Sequence, residues 1–365
     1  MISLLVLPTL DQLSTLPSMA AAAFLFAAFW AFTLELSEKK ISQSLNGTTW
    51  WSNASRPIKS MMLDQKYPDE PTERFPEGTT DLMVRNFYAS YTINASISHS
   101  LCSLPMLPLL VYGWDEASET MKVMFVFGSL SDVGWDIYDS IRSTVRAFAR
   151  NHPSPIPVES WFLLVCLHHS LAMALVIPMN LRYVHRHEFH QLSVALLLGG
   201  TMCLITNAYK YTLDVYKKKT DFTLYKIIVL FQLAVILYTR MYMWFLPAFG
   251  LRAHIKEQGD TTFFRGATVM ITIFSLFNVL FAIDAIGAAV KWLPRKFPKS
   301  EEDMAETEEL VRRTSGVGAI APTAQMLRMI ESKRKVKASV NVAIAVNRLQ
   351  SIGEEDSTSA TKKKD

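Results

Sequence analysis

The feature that most constrains this chain is the spacing of its charged residues. Lys, Arg, Asp and Glu gather in short clusters, and stretches of about 20 residues that are nearly free of them lie between the clusters. A helix of that length crosses a hydrocarbon core of about 30 Å. Because 50% of the residues are hydrophobic and only 19% are charged, the pattern predicts an all-α protein. We expect a polytopic transmembrane helix bundle with about seven spans.

Seven apolar segments fit a transmembrane helix. The first contains the run MAAAAFLFAAFWAF and has no basic residue before it, so it is predicted to be a retained anchor, with a cleaved secretory signal as the alternative. The other segments follow a long polar stretch. By residue number, the segments cover about 17–32, 86–112, 121–141, 158–181, 192–213, 222–249 and 264–292.

These segments divide the chain into four parts. An N-terminal segment with the first anchor covers residues 1–36, and a polar loop covers 37–84. A transmembrane domain follows over 85–293. The tail, 294–365, is charged, basic in places and poor in aromatic residues, a composition that predicts a largely disordered segment.

The basic residues predict the orientation, because loops rich in Lys and Arg stay on the cytoplasmic side. The more basic set comprises the loop after the first segment, the loop around 142–150, the loop around 217–219 and the tail from Arg295. These loops alternate with less basic ones along the chain. The pattern therefore predicts a lumenal N-terminus and a cytoplasmic C-terminus.

Two short signals bear on location. Glycosylation triplets begin at Asn46 and Asn53, and in this orientation both face the cytoplasm and stay unmodified. The chain ends in KKKD at residues 362–365, which matches the dilysine signal that returns membrane proteins to the endoplasmic reticulum. A merely solubilising basic end is the alternative. We expect a multi-pass endoplasmic-reticulum protein whose tail is open to recognition by a coat protein.

Three acidic residues lie in the third segment, where an ionisable side chain costs roughly 3 kcal/mol and by default indicates a function. Asp132, Asp136 and Asp139 have the spacing that places side chains on or near one face of a helix. Carboxylates so close together need a cation, a proton or a basic partner, for which the candidates are His168, Lys210 and Arg240. Asp139 is expected to be interfacial, and the other two are expected to lie deeper.

The fourth segment carries the adjacent pair His168 and His169. Neighbouring residues point about 100° apart on a helix, so the two rings cannot both face one small target. One histidine is therefore a candidate base or donor towards a lipid headgroup, while the other anchors a helix. The alternative is that both are polar contacts between helices, worth about 1 kcal/mol each.

Several functional classes lose support. A net charge of +4 gives no electrostatic basis for a nucleic-acid partner, and no phosphate-binding loop, nucleophile elbow or zinc-protease pattern occurs in the sequence. His187 and His190 have a spacing that metal sites use, although a solvated loop is the commoner explanation. The sequence therefore predicts no metal site and no bound cofactor. Its cysteines fall inside the apolar segments and are predicted to be packing residues: Cys102, Cys166 and Cys203.

The order of four motifs between residues 82 and 293 resembles the TLC domain. This family is named for translocation-associated membrane proteins, longevity-assurance ceramide synthases and a ceroid-lipofuscinosis membrane protein. The motifs are RNFYASYTINASISHS, which ends near His99, GSLSDVGWDIYDS, LHHSLAMAL with the histidine pair, and GGTMCLITNAYKYTL, followed by a helix that carries Arg240. The resemblance implies six helices around a central lipid-binding cavity in the endoplasmic reticulum.

In the ceramide synthase branch the paired histidines are catalytic, which would give that role to His168 and His169. That branch continues with an HD pair and further acidic residues, whereas no Asp occurs here between His169 and Asp214. The departure favours branches that handle lipids without acyl transfer.

Three functions follow as hypotheses. The first is a protein that binds or regulates lipid, with roles in lipid homeostasis, membrane composition or trafficking. The second is an acyltransferase that joins acyl-CoA to a sphingoid base, and the third is a transporter, which the buried acids favour. Membrane lipids are the expected partners in the first two. The candidates for lining a lipid cavity are Asp132, Asp136, Asn207, Lys210, Arg240 and His99.

Overall fold

Helices account for most of the part of the chain that the computed structural model describes. The described residues are 9–46, 81–149, 152, 156, 158–210, 212–215 and 218–314, and no strand occurs among them. The prediction of an all-α protein is confirmed.

The helices are numbered here in chain order, and two of them contain a π-helical middle segment. They are α1 (Leu16–Asn46), α2 (Asp81–Ser103), α3 (Leu107–Glu116), α4 (Glu119–Phe148), α5 (Val158–Trp161, π-helical Phe162–His169 and Ser170–Arg182), α6 (His187–Lys210), α7 (Lys219–Ile236, π-helical Leu237–Tyr242 and Met243–Glu257), α8 (Thr261–Trp292) and α9 (Glu301–Thr314).

Six of the helical stretches in the described residues are long and apolar enough to cross a membrane. They are Leu16–Asn46, Ala89–Tyr112, Phe162–Arg182, His187–Lys210, Lys219–Glu257 and Thr261–Trp292. Each matches one of the apolar segments in the sequence. The prediction of a multi-pass membrane protein built as a helix bundle is confirmed.

Helix α4, which corresponds to the third predicted segment, carries too many charged residues to belong to that set. It nevertheless packs against α1, α2 and α5, and most of its residues between Val123 and Asp139 are buried. The acids of α4 therefore lie inside the bundle and not on a surface helix.

Helix α1 packs directly onto α4 through small residues. A Cβ atom at Gly134 would lie 2.5 Å from the Cβ of Phe26 and 2.8 Å from the carbonyl oxygen of Ala23, so only glycine allows this approach. The indole nitrogen of Trp30 donates a 2.9 Å hydrogen bond to the carbonyl oxygen of Ser131. The N-terminal anchor is thus an integral part of the bundle.

Helix α1 also extends beyond its apolar part, into the segment predicted as a polar loop. The hydroxyl of Tyr138 donates to Glu35 at 3.1 Å, and Arg142 forms an ion pair with Glu38. These contacts continue the α1–α4 packing past the apolar stretch and keep the chain helical up to Asn46. The predicted glycosylation site Asn53 lies outside the described residues.

Two prolines and a glycine shape the next membrane segment. A 3-10 turn, Leu104–Met106, contains Pro105 and separates α2 from α3, whose first turn holds Pro108. Gly113 has a φ of 77°, a left-handed value that glycine adopts readily. The segment therefore bends as it leaves the bundle.

The chain after α8 returns to the bundle before α9 begins. Phe297 packs edge-on against Phe222, with ring centroids 5.7 Å apart. Ser300 and Asp303 cap the start of α9 reciprocally, and the backbone amides of Lys299 and Ser300 hold the pKa of Asp303 below its usual value. Residues 315–365, including the KKKD end, lie outside the described residues.

Candidate functional site

His169 joins two carboxylates of α4. Its Nδ1 lies 2.5 Å from Oδ1 of Asp136, and its Nε2 lies 3.1 Å from Oδ2 of Asp139. All three side chains are buried. Because both ring nitrogens face carboxylates, His169 has no nitrogen left for a ligand.

Asp139 is held by hydrogen bonds on several sides. It is 1% exposed, and it accepts hydrogen bonds from the Tyr91 hydroxyl at 3.3 Å and from the Ser143 hydroxyl at 3.4 Å. Helix α4 continues to Phe148, so Asp139 lies well inside the helix. Its interfacial depth in the membrane stays a prediction.

His99 on α2 and Asp132 on α4 face each other, and Asp132 lies one helical turn before Asp136. Nδ1 of His99 lies 3.8 Å from Oδ1 of Asp132, which is too far for a direct hydrogen bond. Both atoms are buried, and neither has a hydrogen-bond partner among the described residues. The ring of Trp135 packs edge-on against both His99 and His169, at centroid distances of 4.5 and 5.6 Å.

We call His99, Asp132, Asp136, Asp139 and His169 the acid–histidine cluster. It brings together α2, α4 and α5 in the interior of the bundle. The helical spacing of the acids predicted their common face, and that prediction is confirmed. Their closest basic partner is His169, whereas the sequence had suggested His168, Lys210 or Arg240.

His168 points away from the cluster. Its ring lies 5.7 Å from Phe274 and 6.5 Å from Phe277, both on α8, and 5.2 Å from the ring of His169. No hydrogen bond to its ring nitrogens occurs among the described residues. The expectation that the two histidines face different targets is confirmed, and the pair ends a π-helical segment, a feature often found at functional sites.

Arg240 lies in the second π-helical segment. Its guanidinium donates to the carbonyl oxygen of Leu196 at 3.3 Å and lies 5.7 Å from the ring centre of Phe281 on α8. A Cβ atom on Gly200 would be 3.3 Å from the His99 ring and 3.9 Å from Nη2 of Arg240, so both side chains border this glycine. Within the described residues, Arg240 has no carboxylate at ion-pair distance.

Two other predicted residues, Asn207 and Lys210, belong to a different contact between α6 and α7. The amide of Gln232 donates to Oδ1 of Asn207 at 3.1 Å, and the Lys210 ammonium donates to the side-chain oxygen of Gln232. Lys210 also lies 5.3 Å from the ring centre of Tyr225. These contacts join α6 to α7, whereas the residues of the acid–histidine cluster lie on α2, α4 and α5.

Sequence reasoning missed three residues of this region as site members. Tyr91 lies about two turns before His99 on α2, and Trp135 lies between Asp132 and Asp136 on α4, so helical spacing could have suggested both. Asn278 on α8 is 1% exposed, and its two polar side-chain atoms have no hydrogen-bond partner among the described residues. A lone amide inside an apolar segment was the only signal for it.

The described residues contain no group of three His, Cys, Asp or Glu side chains with the geometry of a metal site. His187 and His190 were expected in a solvated loop, but α6 begins at His187 and His190 is buried. Nε2 of His190 lies 2.6 Å from the carbonyl oxygen of Val184, as in a structural contact.

A groove of about 690 Å³ runs along α1 and α4, and its polar end is formed by Glu35, Glu38, Tyr138 and Arg142. None of the residues that line it belongs to the acid–histidine cluster. The groove and the cluster therefore lie on different sides of α4.

Comparisons with protein-family models, curated proteins and solved structures found no match. The fold defines a class, the multi-pass all-helical membrane protein, and the buried acids and histidines distinguish this member of it. The resemblance to the TLC domain rests on the sequence motifs alone and stays a prediction.

Proposed function

We propose that the protein binds an amphipathic lipid inside its helix bundle and thereby serves lipid homeostasis, membrane composition or trafficking. One observation carries the proposal: Nδ1 of His99 and Oδ1 of Asp132 face each other at 3.8 Å, both buried and both without a partner in the described part of the chain.

The cost of such an arrangement supports a bound polar group. A buried donor or acceptor without a hydrogen bond costs about 1–3 kcal/mol, and water is scarce at membrane depth. A hydroxyl group both donates and accepts, so one hydroxyl between the two atoms would donate to Asp132 and accept from His99. A lipid headgroup with a hydroxyl would satisfy both side chains while its chain stays in apolar surroundings.

The test is the lipid that purifies with the protein. Native protein and a His99→Phe variant are extracted in a mild detergent, and bound lipids are measured by mass spectrometry against the surrounding membrane. We expect native protein to enrich one hydroxyl-bearing lipid class and His99→Phe to lose most of that enrichment, because phenylalanine keeps the ring and removes both nitrogens.

His190→Phe is the matched control. Like His99, His190 packs its imidazole edge-on against an aromatic ring, in this case Phe125 at 4.6 Å. His190 is buried, but it lies outside the acid–histidine cluster. It should keep the native lipid profile. Equal lipid profiles for the native protein and the folded His99→Phe variant would contradict the proposal, since a water molecule would then explain the unpartnered atoms.

The second candidate function is acyl transfer from acyl-CoA to a sphingoid base. It is favoured by one observation: His168 has no hydrogen-bond partner among the described residues, while its neighbour His169 is held by Asp136 and Asp139. In this mechanism the amine nitrogen attacks the thioester carbonyl, His168 takes the proton that the nitrogen loses, and the proton passes to the CoA sulfur as the C–S bond breaks. Such general acid–base catalysis is worth roughly 10²- to 10⁴-fold in rate. His169 positions the helix and does not touch the substrate.

Purified protein with labelled acyl-CoA and a sphingoid base separates the two functions. Acyl transfer predicts labelled product from native protein and at least a 100-fold loss in His168→Gln, with unchanged thermal stability. Lipid binding without catalysis predicts no product from either protein. His187→Gln, which alters a histidine at the start of α6, is the control.

The proposed location is the endoplasmic-reticulum membrane, with a lumenal N-terminus and a cytoplasmic C-terminus. The distribution of basic residues supports this proposal, as does the resemblance to the TLC domain. Glycosidase treatment should leave the size of the protein unchanged, since Asn46 and Asn53 would face the cytoplasm. A glycosidase-sensitive shift that disappears in an Asn53→Gln variant would reverse the orientation of that segment.

A further inference from the structure

Arg240 forms no ion pair with the acids of the acid–histidine cluster. Asp136 and Asp139 are bound by His169, and the basic group nearest to Asp132 is His99. Arg240 contacts a backbone carbonyl and an aromatic ring instead. A guanidinium keeps its charge in proteins, and a charge at membrane depth calls for a counter-charge.

The rings around Arg240 and His168 belong to one face of α8. Phe274, Phe277 and Phe281 have the helical spacing that places them along one side. His168 packs against the first two rings, and Arg240 lies over the third. The two basic side chains therefore lie along the same aromatic stripe, about one to two helical turns apart.

Two of the three rings of this stripe, Phe277 and Phe281, are partly exposed, as are His168 and Arg240, although all four residues lie in membrane-spanning helices. Phe274 is buried. Gly200 borders both Arg240 and His99, and a Cβ atom at this position would come within 3.3 Å of the His99 ring. A ligand lying along α8 would thus meet a cation at one end and phenylalanine rings along its length.

Asn278 is an independent indication that a ligand binds here. It lies one turn after Phe274 on α8, it is 1% exposed, and neither its amide nitrogen nor its oxygen has a hydrogen-bond partner among the described residues. An amide nitrogen is a donor that suits an anionic oxygen.

We infer that Arg240 binds the anionic group of a lipid, a carboxylate or a phosphate, and that the lipid chain lies along the Phe274, Phe277 and Phe281 rings. The inference rests on the proposed function and adds the charge of the ligand to it. Arginine suits both groups because its planar guanidinium offers two parallel hydrogen bonds. His168 and Asn278 border the same stripe and are the polar neighbours of the bound chain.

The experiment uses full-length protein in nanodiscs of phosphatidylcholine. The probes are oleate for a carboxylate, phosphatidic acid for a lipid phosphate, inorganic phosphate for the free anion, and oleyl alcohol, which keeps the chain of oleate without its charge. Binding is measured for the native protein and for the Arg240→Gln and Arg240→Lys variants.

Arg252→Gln is the matched control. Arg252 also lies on α7 and also stacks on a phenylalanine of α8, with its guanidinium carbon 4.7 Å from the ring centre of Phe264. It donates to Thr268 at 2.9 Å and lies far along the helix from the aromatic stripe. Its replacement removes the same charge and the same type of stacking without touching the site.

We expect native protein to bind oleate or phosphatidic acid at least 10-fold more tightly than oleyl alcohol. Arg240→Gln should weaken binding of that anionic lipid by about 10- to 100-fold, since a charged hydrogen bond contributes about 1.5–3 kcal/mol. Oleyl alcohol should bind equally to both proteins, and Arg252→Gln should match the native protein. Arg240→Lys, which keeps the charge and loses the planar fork, should fall between native and Arg240→Gln.

Each opposing result has a distinct meaning. If oleyl alcohol binds as tightly as the anionic lipids, or if Arg240→Gln and Arg240→Lys leave their binding unchanged, the inference is overturned while lipid binding stands. If none of the lipids binds above empty nanodiscs, the proposed function fails as well. If inorganic phosphate binds as tightly as phosphatidic acid, the site takes a soluble anion and the lipid assignment is overturned. Should Arg240→Gln not fold, the Arg240→Lys comparison decides.

Discussion

His169 on α5 lies between Asp136 and Asp139 of α4, with Nδ1 2.5 Å from one carboxylate and Nε2 3.1 Å from the other. The two acids are one turn apart, so a single imidazole reaches both. This arrangement fixes the rotation of α5 against α4 and turns His168 towards α8.

His169→Ala should destabilise the bundle by about 3–5 kcal/mol, because it leaves two buried carboxylates without their shared partner. His168→Ala should cost much less, since His168 packs against aromatic rings and has no hydrogen bond to its ring nitrogens among the described residues. Unfolding by titration with a denaturing detergent, in mixed micelles, measures the difference. Equal stability losses in the two variants would show that His169 does not hold the acids together.

Substitutions of Asp139 and Asp132 should differ in their effect on the free energy of unfolding, measured by the same detergent titration. Asp139→Asn should lower the free energy of unfolding by about 1–3 kcal/mol, because Asp139 accepts hydrogen bonds from His169, Tyr91 and Ser143. Asp132→Asn should be neutral or stabilising, since it removes a charge that has no direct hydrogen bond at Oδ1. A larger loss for Asp132→Asn than for Asp139→Asn would reverse the roles assigned to these residues.

The approach of α1 to α4 at Gly134 can be tested with a single methyl group. Gly134→Ala would place a Cβ atom 2.5 Å from the Cβ of Phe26, and overpacking of this kind costs about 1–3 kcal/mol. Gly287→Ala on α8 is the control, because its Cβ atom would meet nothing within 4 Å. Indistinguishable thermal stabilities would mean that α1 does not pack at this position.

Charge spacing alone predicted the membrane segments, because a long apolar stretch has few ways to satisfy its backbone except as a spanning helix. The limits of α1 were harder to predict, since its last turns depend on Glu35 and Glu38 meeting Tyr138 and Arg142 on α4. Those partners are distant in sequence, so the local sequence of α1 does not indicate them.

The candidate site was predictable only where it depends on the geometry of a single helix. Helical spacing placed the acids on one face and separated the two histidines, both of which are properties of a single helix. Which basic residue meets the acids depends on how α5 rotates in its π-helical segment, and the sequence does not reveal that rotation. Arg240 was one of the three candidate partners for the acids, but on α7 it lies over the ring of Phe281 instead.

The most direct test of a lipid site inside the bundle is photo-crosslinking in intact membranes. A lipid with a photoreactive group on its chain is added, and the crosslinked positions are mapped by mass spectrometry. An interior site predicts labelling of α8 at Phe274, Phe277 and Phe281, in preference to the outward-facing Leu276 and Ile283, which are 61% and 60% exposed. Labelling concentrated on Leu276 and Ile283, with the phenylalanine stripe unlabelled, would show that lipid only surrounds the bundle and would contradict an interior lipid site.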